Sequence, residues 1–164
     1  MSVVREHLEG QGVPFEPIEH QKAYTSIAEA RVCDVDASEV VKTVVVRVAG
    51  GHALMVVPAT CRLDLRRVQA AVGDPHARLA TETELLRDFP DIELGAMPPL
   101  ALLLGAPLYV DPEVLRNDTV VFAAGSQTQS VRLTTNDLLQ FQRQRVRTVP
   151  LAKRAEEDHK DWID

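Results

Sequence analysis

Apolar and polar positions alternate along four segments of the chain and predict two β-hairpins. Valine and threonine recur through residues 40–48, and a Gly-Gly pair separates this run from the apolar segment 52–58. A Gly-Gly turn between two such runs is typical of a β-hairpin. Residues 119–125 and 130–133 repeat the pattern on either side of a polar turn. The pattern therefore predicts a second hairpin in this part of the chain.

Apolar residues three and four positions apart predict helices between the strands. The segments with this spacing are 2–10, 25–32, 63–73, 81–89 and 136–144. Ser26 and Glu29 stand at capping-box spacing, and so do Thr81 and Glu84, which indicates where two of the helices begin. The stretch 95–107 is also apolar, but its prolines and glycines predict a loop with a short apolar turn.

The order of the remaining strands indicates the fold class. Shorter strands are predicted at 15–20, 76–80 and 108–111, and Pro17 places the first of them at a sheet edge. Because strands often follow one another directly, the pattern predicts an α+β fold with a mixed, largely antiparallel sheet and packed helices. Residues 1–151 are assigned to one domain, and the polar residues 152–164 are predicted to form a C-terminal tail.

A lysine interrupts the most strand-like segment of the chain. Strand alternation places Lys42 on the same face as Val44 and Val46, among other valines, and an ammonium group on an apolar face is costly without a partner or water. One interpretation is an edge strand, in which lysine discourages aggregation. The other is a functional lysine in a pocket. The segment alone leaves both open.

The composition is that of an ordinary globular domain, with 164 residues of which 45% are apolar and 26% charged. The net charge of −6 argues against broad non-specific nucleic-acid binding, and no DNA partner is expected. Two cysteines without CxxC spacing indicate a reducing compartment and no disulfide framework. The sequence shows neither a signal-peptide core nor a membrane-spanning run, so a cytoplasmic location without a membrane partner is expected.

Several common catalytic motifs are absent from the sequence. It has no GxxxxGK[ST] phosphate loop, no HExxH or HxxxH metal motif and no GxSxG nucleophile elbow. A metal site therefore has little support, and no cofactor is expected. Cys33 and Cys61 each lack a histidine nearby in sequence, and a small buried thiol is a commoner role for such residues than a nucleophile.

Five motifs, in order between about residue 12 and residue 146, are shared with a known family. They are PFEPIEHQKAYTSIAEA, EVVKTVVV, GAMPP, LYVDPEVL and VVFAAGSQTQSVRLTTNDLL. No motif is specific alone, but in this order they resemble the YbaK-type aminoacyl-tRNA deacylases. That superfamily includes the editing domain inserted in bacterial prolyl-tRNA synthetases. The resemblance implies a YbaK-like α+β fold.

The resemblance also implies that Lys42 is the key active-site residue and that its strand lines the substrate pocket. A partly apolar pocket strengthens the interaction of an ammonium group with a phosphate or a developing oxyanion. Lys42 is then a candidate to hold the terminal adenosine phosphate or the ester carbonyl. A role as general base would require that burial lower its pKa. The sequence leaves these roles open.

A glycine- and proline-containing loop supplies further candidates for substrate binding. Gly95 and Pro99 match the family's G-x-x-x-P pattern. The backbone N–H groups of Gly95, Ala96 and Met97 are candidates to bind the aminoacyl carbonyl or amine, since a glycine permits close approach of a ligand. Pro98 stands where many relatives have serine or another small residue, which is a departure from the pattern.

Three further positions have a role in the family and an equally plain structural explanation. His20 matches a residue that borders the amino-acid pocket, while a hydrogen bond to a backbone carbonyl explains it nearly as well. Gly125 and Ser126 are candidates for the far wall of the pocket, or form an ordinary hairpin turn. Asp111 resembles a family aspartate and equally suits the start of a turn with Pro112.

The function implied by the resemblance is a trans-editing hydrolase that cleaves the ester of a mischarged tRNA carrying a small amino acid. It implies neither a metal nor a covalent enzyme intermediate. The expected partners are aminoacylated tRNA and an aminoacyl-tRNA synthetase. Two alternatives stay open: a non-catalytic module that binds an aminoacyl-adenosine-like ligand or a synthetase, and an enzyme that forms a Schiff base through Lys42.

Overall fold

Two β-sheets form the framework of residues 2–153, the part of the chain that the computed structural model describes. The strands of one sheet, in spatial order, are β4 (Arg78–Leu79), β2 (Val41–Val48), β3 (Gly51–Pro58), β5 (Leu108–Val110) and β8 (Val146–Thr148). Those of the other are β1 (Glu16–Glu19), β7 (Gln129–Thr134) and β6 (Thr119–Ser126). The pairs β3–β5 and β5–β8 are parallel and the others antiparallel, which confirms the predicted α+β class and mixed sheet.

Five of the α-helices in the described residues overlap the segments that the periodicity predicted, although the last of them ends at Gln140 and not at residue 144. They are α1 (Val3–Gly10), α2 (Ser26–Cys33), α3 (Leu65–Val72), α4 (Glu82–Asp88), α5 (Ala101–Leu104) and α6 (Thr135–Gln140), with 3-10 helices at Pro112–Arg116 and Arg143–Arg145. The single turn α5 is the short apolar turn expected within the proline-rich stretch. It ends at Gly105, whose φ of +66° lies in the left-handed region that glycine adopts without strain.

Both predicted hairpins are present. β2 and β3 pair over their whole lengths, from Val41 opposite Pro58 to Val48 opposite Gly51. β6 and β7 pair across the polar turn, with an irregular register between Ala123 and Ser126. β1 pairs with β7 alone, so the edge position that Pro17 indicated is confirmed.

The β2–β3 hairpin is buried on both faces. On one face, Val41 and Val45 join the largest apolar cluster, together with α1 and Phe122 of β6. On the other face, Val46 and Met55 pack against Val68 of α3. A third cluster joins the two sheets and is formed by Ala30 of α2, Val40, Ala59 and Val121. Because α2 is part of this third cluster, it is held beside the start of β2.

The start of α2 differs from the predicted capping box. Thr25, not Ser26, is the N-cap, and its side chain accepts a hydrogen bond from the N–H of Ala28 at 3.1 Å. The predicted box of Ser26 and Glu29 is wrong because the helix begins one residue earlier than the pair requires. Glu29 is instead buried, with 4% of its surface exposed. The other box is confirmed at the start of α4.

A buried aspartate fastens the end of the described chain. Asp111 caps the 3-10 helix that begins at Pro112, as the turn interpretation expected, and accepts a hydrogen bond from the N–H of Glu113. Its other oxygen accepts the N–H groups of Leu151 and Ala152, each at 2.8 Å. Ala152, the first residue of the predicted tail, is therefore held against the domain. Residues 154–164 of that tail lie outside the described residues.

No helix within residues 2–153 is both long and apolar enough to cross a bilayer.

Candidate functional site

A cavity of about 420 Å³ opens between α2, the outer edge of β2 and the loop that precedes α5. Volumes of a few hundred Å³ are typical of small-molecule sites. The polar side chains of its lining come from Tyr24, Thr25, Ser26, Glu29, Lys42 and Thr43. The rest of the lining is apolar and consists of Ile27, Val41, Val44, Val45, Ala59, Leu79, Ala80, Leu85, Met97 and Ala123, together with Gly95.

Lys42 lies where β2 has a strand neighbour on one side only. β3 pairs with all of β2, whereas β4 pairs with Val46 and Arg47 alone. The outer edge of the strand around Lys42 therefore borders the cavity, and five consecutive residues of β2 line it. The edge-strand and pocket-lining interpretations of Lys42 thus describe the same place in the fold.

The surroundings of Lys42 strengthen the attraction between its ammonium group and anionic atoms. Burial lowers the pKa of Lys42; the thiol of Cys61, when ionised, opposes this effect, and the charge of Arg62 adds to it. Burial raises the pKa of Cys61, so its neutral thiol form is favoured. No carboxylate of the described chain pairs with Lys42. The ammonium group is therefore partly dehydrated and has no fixed counter-ion within residues 2–153.

Gly95 occupies a position that admits no side chain. Its φ is +79°, and a Cβ built there would lie 2.5 Å from the carbonyl oxygen of Tyr24. Real Cβ contacts are not this short, so glycine allows the loop to pass against the backbone at the start of α2. Tyr24 and Gly95 both line the cavity. This close approach holds the loop against the start of α2 at a point where both line the cavity.

The other predicted loop residues divide into cavity-lining and supporting positions. Met97 lines the cavity, whereas Ala96 and Pro99 do not. The N–H of Ala96 already donates to the carbonyl of Glu93 at 3.1 Å, so it is not an open donor. The carbonyl of Pro99 accepts a hydrogen bond from the side chain of Gln142. These two residues therefore fix the conformation of the loop through hydrogen bonds outside the cavity.

Gly125 and Ser126 also lie outside this cavity and border a separate surface depression. The N–H of Gly125 donates to the carbonyl of Ala96 at 3.1 Å, and its carbonyl accepts the N–H of Glu93 at 2.9 Å. The oxygen of Ser126 bonds the neighbouring Thr128. The β6–β7 turn therefore supports the Gly95 loop rather than forming a wall of the cavity.

His20 is joined to the cavity through a chain of hydrogen bonds. Its Nε2 lies 2.8 Å from the oxygen of Ser130, and that hydroxyl oxygen lies 2.6 Å from Oε2 of Glu29. Its Nδ1 lies 2.7 Å from the carbonyl oxygen of Gln21, so the expected bond to a backbone carbonyl is also present. His20 itself does not line the cavity, and Glu29 does.

Glu29 is the functional candidate that the sequence did not indicate. Burial raises its pKa to about 7, and the hydrogen bond from Ser130 partly offsets that rise. Its spacing from Ser26 suggested a capping role, which hid its inward position. Thr43 was also missed; its hydroxyl is buried beside the cavity and lacks a hydrogen-bond partner within residues 2–153. The sequence contains one signal that could have indicated Glu29: the helix is already capped by Thr25, so a glutamate in its first turn is not needed for capping.

Replacing Glu29 by glutamine is expected to change how stability depends on pH. The pKa of Glu29 is about 7 in the folded chain, against an ordinary value of 4.5. Between these values the folded state holds more protons than the unfolded state, so wild-type stability falls as pH rises. Glu29→Gln has no carboxyl group to ionise and escapes this loss. Between pH of about 4 and about 8, its stability relative to wild type should rise by on the order of 3 kcal/mol.

Urea unfolding at a series of pH values measures this difference. Glu19→Gln, on the exposed strand β1, is the matched control and should follow the wild-type curve. Parallel pH curves for wild type and Glu29→Gln would contradict the raised pKa.

Among the described residues, no three histidine, cysteine or acidic side chains are grouped so that they could hold a metal ion.

Comparisons with known proteins place this geometry in a family. A family model described as the aminoacyl-tRNA editing domain matches residues 20–141. A candidate trans-editing enzyme for prolyl tRNA synthetase has 25% identity and a TM-score of 0.81, over 92% of this chain and 95% of that chain. Hypothetical protein APE2540 has 24% identity and a TM-score of 0.81, over 92% of this chain and 99% of that chain.

A candidate signal transduction protein from Marinobacter aquaeolei VT8 has the same fold within a longer chain. It has 18% identity and a TM-score of 0.74, and the match covers 94% of this chain and 31% of that chain. A search of curated protein sequences gave no significant match.

The family match includes the whole site. Every residue that lines the cavity, from Tyr24 to Ala123, falls within the matched range 20–141. That range is well over half of the 164 residues. The order of motifs that resembles YbaK-type deacylases and the α+β fold agree with it. The chain therefore belongs to the aminoacyl-tRNA editing domain family.

Proposed function

We propose that this protein is a trans-editing deacylase that hydrolyses the ester between a small amino acid and the terminal ribose of a mischarged tRNA. One observation carries the proposal: in an editing-domain chain, Lys42 places a half-buried ammonium group, without a carboxylate partner among residues 2–153, at the edge of a 420 Å³ cavity. Such a group stabilises negative charge that develops on a bound ester.

Lys42 is proposed to act on the oxygen that becomes negative during hydrolysis, or on the phosphate of the terminal adenosine. Partial burial makes this charge interaction stronger than it is in water. A water molecule adds to the ester carbonyl, assisted by the adjacent ribose hydroxyl. The bond to the ribose oxygen then breaks, that oxygen takes a proton, and the free amino acid leaves. The reaction needs no enzyme nucleophile.

The Gly95 loop is proposed to position the carbonyl group of the ester. The N–H groups of Gly95 and Met97 donate to no other residue of the described chain, so both are available to a ligand. Because Ala96 donates to Glu93, the loop presents alternate N–H groups rather than three in a row. Two such donors beside an ammonium group form a site suited to an oxyanion.

The apolar part of the cavity favours a small aminoacyl side chain. Its walls are valine, alanine, leucine and methionine side chains held by the core of the domain. A pocket of this kind excludes larger substrates by overlap and gives little discrimination between substrates that differ by one methylene. The amino acid is therefore proposed to be small and uncharged in its side chain, as alanine and cysteine are.

The rim of the cavity suits the 3′ end of a tRNA. Tyr24 is 61% exposed there and presents a ring on which a terminal base can stack. Arg62 lies close enough to Lys42 for its charge to lower the pKa of that lysine, so positive charge is concentrated near the β2 side of the cavity. The net charge of −6 provides no general attraction for RNA, so a synthetase partner is proposed to deliver the tRNA. The trans-editing relative suggests prolyl-tRNA synthetase as that partner.

Hydrolysis of a panel of mischarged tRNAs tests the proposal. We expect wild type to deacylate alanyl- or cysteinyl-tRNA for proline well above the uncatalysed rate, and to leave correctly charged prolyl-tRNA largely intact. The assay is run with and without prolyl-tRNA synthetase, so that a requirement for delivery is detected. Binding of these tRNAs without hydrolysis in either condition would reject the deacylase function and favour a non-catalytic module.

A further inference from the structure

Three side chains from separate parts of the fold form one hydrogen-bonded line that starts in the cavity. Oε2 of Glu29 lies 2.6 Å from the oxygen of Ser130, which lies 2.8 Å from Nε2 of His20. Ser130 is buried, with 1% of its surface exposed, whereas His20 is partly open to solvent. The line therefore connects a buried carboxyl group at the cavity with an imidazole near the surface.

The hydrogen-bond partners of His20 and Ser130 restrict where protons can lie along this line. The carbonyl oxygen of Gln21 can only accept, so Nδ1 of His20 must carry a hydrogen. Ser130 has a single hydrogen to share between Glu29 and His20, and the thiol of Cys33, which also interacts with Ser130, is neutral because burial raises its pKa. If Ser130 donates to a charged Glu29, Nε2 must also carry a hydrogen and His20 is a cation. If it donates to Nε2, His20 is neutral and a protonated Glu29 donates to the oxygen of Ser130.

Moving one proton along the line interconverts these two arrangements. Glu29 gives its proton to the oxygen of Ser130 while the hydroxyl proton of Ser130 passes to Nε2 of His20. The products are a carboxylate at the cavity and an imidazolium near the surface, and no proton is gained or lost. Burial holds the pKa of Glu29 at about 7, so this carboxyl group can give up its proton near neutral pH. A cation in the cavity would then favour the charged arrangement.

The charges that face Glu29 leave it suited to a cationic group. On its own helix, Cys33 stands one turn away, and burial raises the pKa of that thiol, which keeps it neutral. Across the cavity, β2 presents Lys42, and the phenol of Tyr24 lies at the rim. His20 reaches Glu29 through Ser130. Glu29 is thus the carboxyl group among the cavity-lining residues, opposite a single ammonium group.

We propose that Glu29 binds the α-ammonium group of the aminoacyl end of the ligand, and that Ser130 and His20 take up the proton that Glu29 loses. The inference rests on the proposed function. An aminoacyl ester attached to a ribose phosphate has a cation at one end and anionic or electron-rich oxygens at the other. The cavity has one carboxyl group and one ammonium group on different elements, which matches this distribution. No residue of the described chain bonds Oε1 of Glu29, so that oxygen is open to the ligand.

The first test compares alanyl-tRNA with lactyl-tRNA, in which a hydroxyl replaces the α-ammonium group at almost the same size. Glu29→Gln is expected to lower kcat/KM for alanyl-tRNA at least tenfold and to change that for lactyl-tRNA less than twofold. Glu19→Gln is the matched control and should change neither rate. Equal losses on both substrates would overturn the assignment, since a merely structural defect affects the two esters alike.

The second test requires binding but no hydrolysis. The ligand is an alanyl-adenosine analogue with an amide in place of the ester, and the nitrogen chemical shifts of the His20 ring report its protonation. Binding at pH of about 6.5, below the pKa of about 7 of Glu29, should increase the fraction of His20 in the cationic form in wild type, and not in Glu29→Gln or Ser130→Ala. The analogue without its amino group should bind without this change. An unchanged His20 ring in saturated wild type would overturn the relay.

The two tests separate failure of this inference from failure of the proposed function. If wild type hydrolyses alanyl-tRNA but Glu29→Gln lowers kcat/KM equally for alanyl-tRNA and lactyl-tRNA, the deacylase function stands and the role of Glu29 is rejected. If no ester is hydrolysed but the analogue protonates His20 through Glu29, the ammonium site stands and the deacylase is rejected.

Discussion

Lys42→Met is expected to lower kcat/KM for the hydrolysed aminoacyl-tRNA by about 100-fold or more, while the domain stays folded. Methionine keeps an apolar stem of similar length but removes the ammonium group that faces the cavity. Removal of one electrostatic group that stabilises a transition-state oxyanion commonly costs a factor of about 100 to 1,000. Because burial lowers the pKa of Lys42, the charged form is disfavoured by folding, so its removal should leave stability unchanged or increase it.

Separate values of kcat and KM decide which oxygen Lys42 serves. Loss of kcat at constant KM indicates an interaction made in the transition state, as expected for the ester carbonyl. A rise in KM at constant kcat indicates binding of the adenosine phosphate in the ground state as well. Arg31→Met removes an exposed cationic side chain outside the cavity and is the matched control, with activity expected to stay near wild type. Full activity in a folded Lys42→Met variant would reject the proposed role.

The framework was predictable because local patterns and tertiary packing agree along most of the chain. The β2–β3 hairpin follows from valine alternation and a Gly-Gly turn, and burial on both faces accounts for its near-continuous apolar sequence. β8 was missed because Val146–Thr148 has only three residues, two of which are polar. Its pairing with β5 depends on residues almost forty positions earlier, which no local pattern records.

The candidate site was predictable only where the sequence had a recognised motif. Lys42 and the Gly95 loop were found that way, and the cavity brings Lys42, Gly95 and Met97 together. Glu29 was misjudged because its partner, Ser130, lies 101 positions along the chain. In sequence a glutamate early in a helix suggests capping, and only the packing of β7 against α2 shows that it is buried. Contacts of this range are fixed by the fold and not by spacing.

Gly95→Ala is expected to lower both stability and activity, whereas Gly105→Ala should affect stability alone. Both glycines have positive φ, +79° and +66°, so alanine at either position costs roughly 1–2 kcal/mol of backbone strain. At Gly105 a Cβ meets nothing within 4 Å. At Gly95 it would stand 2.5 Å from the carbonyl oxygen of Tyr24, so the loop or the start of α2 must move as well.

The comparison of these two variants isolates the effect of the close approach from that of the backbone angle. Thermal unfolding should show a larger loss of stability for Gly95→Ala than for Gly105→Ala, since only the former adds a displacement to the strain. Tyr24 and Gly95 both line the cavity, so a shift of about 1 Å where they meet would misplace the ester and cost about 100-fold in kcat/KM. Gly105→Ala should keep near wild-type kcat/KM in the folded protein. Equal activities in the two variants would mean that the distance between α2 and the Gly95 loop does not control catalysis.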